Sequence, residues 1–105
     1  MLDKLSEIHD RYLEVEKLIS SPDAMSDMKS YIQFSKEYKD LEPIIRAYKK
    51  YKNLVGNIAD AKEIISTTDD PEMKEMAKLD LEENLPLKDV MDEEIKVLLI
   101  PKDPA

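Results

Sequence analysis

Few residues in this sequence have the types and spacing that could do chemistry. His9 is the one histidine, with Glu7 and Asp10 close by, and an imidazole near a carboxylate is a common arrangement for a general base. Carboxylates one and two residues away do not share its helix face, so His9 reads as a solvent-exposed structural residue. Asp69, Asp70 and Glu72 form an acidic run that invites a metal reading. The run lacks the loop length, central glycine and terminal bidentate glutamate of a calcium hand, and helix capping accounts for it better. The charges of MDEEIK, Met91 to Lys96, read as a solvated face. With no cysteine and a single glycine, Gly56, a thiolate metal site, a disulfide framework and a glycine-rich phosphate cradle are all excluded. No serine or lysine sits in a context that would activate it. Catalytic, cofactor-binding and metal-ligating residues are therefore expected to be absent, and the residues read as an interaction module.

Charge narrows the partners of such a module. The formal net charge is -8, from 24 acidic and 16 basic residues, and no cluster of Lys and Arg dominates a face. Nucleic-acid affinity rests largely on neutralising phosphates, so the chain should bind RNA or DNA poorly by itself and suit a protein partner, a basic one best. Five tyrosines and one phenylalanine could stack on bases, but most of them fall on one apolar stripe, where packing between helices explains them. No stretch approaches the roughly 20 apolar residues that span a bilayer, and the first ten residues do not form a signal-peptide core. A soluble, cytoplasmic protein with no membrane partner is expected.

The elements that must position these residues are helices. At 105 residues the chain has the size of one domain. Leu5, Ile8, Tyr12, Val15 and Ile19 step by threes and fours, the seam spacing of a bundle or coiled coil, and predict a helix over about 2–19. Pro22 and its capping-type neighbours mark a turn, with Ser26 as the N-cap of the next helix. A second stripe runs through Tyr31, Phe34, Tyr38, Leu41, Ile45 and Tyr48, then Tyr51, Val55, Ile58 and Ile65, predicting a helix over about 28–65. Pro43 should kink it, and Gly56 is a second weak point. Asp70 as N-cap, Pro71 at the first helical position and Glu72 in the first turn open a third helix over about 71–99. Its apolar positions are Met73, Met76, Ala77, Leu81, Leu85, Val90, Met91, Ile95 and Leu98, with a kink or short break expected at Pro86. Short connections favour antiparallel neighbours. The fold expected is all-α, an elongated antiparallel helical hairpin or three-helix bundle with a long middle helix.

Four segments in series carry a family resemblance: MLDKLSEIHDRYLEVEKLISSPD, YIQFSKEYKDLEPIIRAYKKYKNL, DDPEMKEMA and VLLIPKDP. In order and spacing, across essentially the whole chain, they resemble the N-terminal helical domain of the bacterial peptide chain release factors. The likeness is greater to release factor 1, which reads UAA and UAG, than to the sister type for UAA and UGA. The resemblance implies that 1–105 is a single N-terminal domain of a longer protein and that 100–105 begins the linker to a decoding and catalytic body. A Pro-x-Thr tripeptide and a Gly-Gly-Gln motif carry decoding and ester hydrolysis in that family. Neither occurs here, so no such residue carries over and this domain is not expected to be an enzyme. The partners implied are the ribosome, at the large-subunit stalk base with its protein and rRNA, and the GTPase that recycles release factors. Of two candidate contact tips, Ser20 to Ser26 and Ser66 to Asp70, the second is preferred; its site residues are Thr67, Thr68, Asp69, Asp70 and Glu72. Pro86 departs from the family's uninterrupted third helix. The competing reading is a free-standing helical coiled-coil adaptor that acts by self-association.

Overall fold

The spacing of apolar residues is realised as three helices: α1 Leu2–Ser20, α2 Met28–Thr67 and α3 Pro71–Leu98. A short 3₁₀ turn, Ala24–Ser26, joins α1 to α2. These are the elements of a computed structural model that describes residues 2–100. The chain is all-α, and among the described residues there is no strand. Pro101 and the expected linker beyond it lie outside the described residues.

The described residues fall into two compact units that divide between Tyr48 and Lys49. In the first, α1 lies antiparallel to the leading part of α2. His9 meets Tyr48, Tyr12 stacks on Tyr38, and Glu16 accepts a hydrogen bond from Tyr38. Leu5, Val15, Ile45 and Tyr48 are its buried apolar side chains. In the second unit α3 runs antiparallel to the trailing part of α2. Tyr51, Leu54, Ile58 and Ala61 are buried there on α2, and Ala77 and Ile95 on α3. Leu54 and Ala61 lie outside the stripe read from the sequence; their positions at i+3 and i+10 from Tyr51 keep them on its face.

The connections show how local chemistry sets helix ends. Ser26 is not the N-cap of α2. Its hydroxyl instead donates to the Asp23 carbonyl at 2.7 Å. Asp27, in an extended conformation, takes the cap: its carboxylate accepts from the Ser30 N–H at 3.3 Å and the Ser30 hydroxyl at 2.8 Å. A carboxylate at this end also meets the positive pole of the helix dipole, and hydrogen bonds from Ser30 hold the Asp27 carboxyl below its usual range.

Both interior prolines are accommodated. The α2 helix continues through Pro43 and α3 through Pro86, so of the two outcomes expected at Pro86 the break does not occur. A proline frees the carbonyl four residues back, here those of Lys39 and Glu82, and these residues and both prolines are exposed. Water can satisfy a carbonyl freed on that side, which removes the main reason for the helix to end. Gly56 also lies within α2 without positive φ.

Candidate partner-contact site

The predicted tip is the α2–α3 connection, and its geometry is built by short side chains bonding to nearby backbone. At the end of α2 the Ser66 and Thr67 hydroxyls both donate to the Glu63 carbonyl, at 2.9 and 2.7 Å. The Thr68 N–H still reaches the Ile64 carbonyl at 2.9 Å. The chain then turns: the Thr68 hydroxyl oxygen accepts from the Asp70 N–H at 3.1 Å, and Asp70 Oδ1 accepts from the Glu72 N–H at 3.0 Å. Asp70 is extended and Pro71 occupies the first helical position, where its missing N–H would have had no helical partner. The N-cap expected from the sequence is thus the one observed.

Thr67, Asp69, Asp70 and Glu72 are exposed and Thr68 is half-buried. One Asp70 oxygen is engaged by the cap, while the Asp69 and Glu72 carboxylates make no hydrogen bond or ion pair among the described residues. The tip therefore presents negative charge on a backbone fixed by its own hydrogen bonds. It can attract a cationic group. Among the described residues no group of three or more His, Asp or Glu is placed to hold a metal ion.

His9 is not solvent-exposed as expected. It is half-buried, with its ring centroid 5.5 Å from that of Tyr48. A histidine one turn from Leu5 on an amphipathic helix can lie along the edge of the stripe, so it serves packing.

Two polar clusters join helices within the units and were not foreseen. In the first unit Arg11 grips Glu37 with two hydrogen bonds, Nε at 2.6 Å and Nη2 at 2.9 Å, and its guanidinium lies 6.0 Å from the Phe34 ring centroid. That bond holds the Glu37 carboxyl below its usual range and raises Arg11. Beside it Tyr12 and Tyr38 stack at 4.5 Å; a hydrogen bond with Tyr12, then burial and the Glu16 carboxylate, push the Tyr38 phenol up. In the second unit Lys88 bonds Asp92 at 3.1 Å and sits 5.7 Å from the Tyr51 ring centroid. A hydrogen bond with Tyr51, then Lys88, holds Asp92 down, while burial and that same bond raise Tyr51. The sequence does signal Lys88–Asp92, an i,i+4 pair. Arg11–Glu37 spans 26 residues and has no local signature.

Comparison with known proteins bears on the whole chain. Residues 8–105 match the PCRF domain family. The chain is 47% identical over 104 residues to peptide chain release factor 1 of Cytophaga hutchinsonii, covering 99% of this chain and 29% of that protein. It is 41% identical to peptide chain release factor 1 of Bacteroides fragilis, with 99% and 28% covered. The figure for Enterococcus faecalis peptide chain release factor 1 is 42%, with 99% and 29% covered. The chain thus spans under a third of the length of these relatives. No solved structure matches it. With a family match that takes in α2, α3 and most of α1, the chain belongs to the PCRF domain family, as its resemblance to the release factors implied.

Proposed function

We propose that this chain is the N-terminal helical domain of a translation termination factor that directs release of the finished polypeptide at UAA and UAG. Its part is to contact the ribosome, at the large-subunit stalk base, and not to catalyse. The observation that carries the reading is the identity of 47% over 104 residues to a peptide chain release factor 1, extending across 99% of this chain. Each helix alone is generic, but similarity sustained through three helices and both turns is not. The contact is assigned to Thr67, Thr68, Asp69, Asp70 and Glu72, which lie together at the α2–α3 turn, four of them exposed. Hydrolysis of peptidyl-tRNA, any contact with the recycling GTPase and the cytoplasmic setting belong to the same proposal.

The test is a chimera in which this chain replaces the matching 104 residues of the Cytophaga hutchinsonii factor, assayed for peptide release on ribosomes programmed with UAA, UAG or UGA. Release at UAA and UAG within a few-fold of the parent is expected. Asp69→Lys with Glu72→Lys should raise the half-saturating factor concentration and leave the saturated rate unchanged. A chimera that folds but does not associate with ribosomes overturns the domain assignment; unchanged half-saturation in the charge-reversed variant overturns the choice of tip.

A further inference from the structure

The α3 helix carries more apolar surface than its contact with α2 uses. Ala77 and Ile95 are buried and Leu81 is half-buried, and these define the side facing α2. Placed at roughly 100° per residue, Met76, Leu79, Leu87, Val90 and Val97 fall in another sector, turned away from that contact. They are 66, 56, 49, 54 and 67% exposed. Scattered exposed apolar residues are ordinary, but five in one sector of one helix, interspersed with Glu83 and Glu94, form a clustered amphipathic face of the kind that marks an interaction surface.

The charges around this stripe identify what it would accept. Glu75, Glu82, Glu83 and Glu94 fall within or beside the same sector, all exposed and none in an ion pair among the described residues. Glu93, at its margin, is paired with Lys96 at 3.2 Å. The helix's lysines, Lys74, Lys78, Lys88 and Lys96, lie on the other side by the same placement. A second copy of this face would bring carboxylates against carboxylates, and nucleic acid or an anionic membrane would meet the same repulsion.

We propose that the outer face of α3 docks a basic amphipathic segment of a partner protein, whose apolar stripe covers Leu79 to Val97 and whose Lys and Arg side chains meet the unpaired glutamates. Helix-on-helix recognition of this kind reads anchors at short helical spacings: Met76 and Leu79 are three residues apart, as are Leu87 and Val90, and Val90 and Val97 are seven apart. The surface is distinct from the α2–α3 tip and does not depend on the termination reading.

The test titrates the isotopically labelled 105-residue chain with a helical lysine/leucine peptide and with its glutamate/leucine counterpart, at about 0.15 M salt so that long-range attraction is screened. Expected are shift changes confined to the outer side of α3 with the cationic peptide and none with the anionic one. Leu79→Ser with Val90→Ser should weaken binding about tenfold. Glu83→Lys with Glu94→Lys should weaken it by a similar factor and admit the anionic peptide; circular dichroism confirms that each variant keeps its helices. Shift changes centred elsewhere overturn the proposal, as does an affinity indifferent to Leu79→Ser with Val90→Ser. So does a dimer of this chain formed through α3, or a longer form of the protein whose own additional residues occupy the face.

Discussion

Glu37 and Asp92 are carboxylates that the fold holds below their usual range, Glu37 through one partner on the facing helix and Asp92 through Tyr51 on the facing helix and Lys88 on its own. For Glu37 the partner is Arg11. A carboxyl whose folded-state pKa is depressed adds stability above its unfolded pKa, about 4.3 for glutamate, and that contribution is lost as pH falls through the folded value. Glu37→Gln should therefore lower stability to denaturant at pH 7, and the gap from the unaltered protein should close as pH drops below about 4. Urea titrations at stepped pH measure it; a gap that persists at pH 2.5 would mean that packing, and not charge, holds the site. For Asp92 the larger influence is the Tyr51 hydroxyl, ahead of Lys88. Tyr51→Phe should then raise the Asp92 midpoint toward the ordinary carboxylate range, as read by carboxyl-carbon NMR. Loss of Lys88 should move it less.

At the scale of the helices, the interior breakers measure what tertiary packing overrides. A Cβ added at Gly56 would find nothing within 4 Å and its φ is not positive, so Gly56→Ala should stabilise by about 1 kcal/mol. Pro86→Ala restores a helical hydrogen bond but loosens the unfolded chain, for a net gain of about 2 kcal/mol. At the start of α3, Asp70→Ala should cost about 1 kcal/mol through loss of the bond from Glu72, whereas Asp70→Asn should cost little. Thermal and urea unfolding of the four variants checks the order. The same elements show what a sequence reveals. The start of α3 was readable because Asp70, Pro71 and Glu72 act locally, and helix spacing was readable because it repeats. The α2 cap was misassigned between Ser26 and Asp27, adjacent residues of equal capping ability that only the turn geometry separates. Of the apolar residues assigned to α3's stripe, Met73, Met76, Leu85, Val90 and Leu98 are exposed. Periodicity locates apolar faces but does not say which face a neighbour covers, and it carries no trace of Arg11–Glu37. The acidic tip was readable as a cap and as a charge; its partner was not, because a binding partner leaves no spacing in the chain it touches.

For the whole molecule, the net charge of -8 separates two ways in which the proposed ribosome contact could be made. Binding driven by phosphate neutralisation needs clustered cations and weakens steeply with salt, whereas an acidic surface gains by meeting basic protein. At 0.15 M salt the isolated chain should bind a labelled RNA hairpin with a dissociation constant above about 100 μM, the weak end of non-specific protein–nucleic acid affinities. The release-factor chimera allows a sharper test. Asp69→Asn, Asp70→Asn and Glu72→Gln together remove the charge of the α2–α3 tip while asparagine keeps the cap. If the tip faces a basic ribosomal protein, neutralising it removes attraction: ribosome association weakens a few-fold, mainly through slower binding, and its salt dependence flattens. If the tip faces rRNA, the same change removes repulsion and association strengthens. The sign of the change, tracked by stopped-flow fluorescence at two salt concentrations, discriminates protein from RNA without a structure of the complex, and the charge balance of the chain predicts weakening.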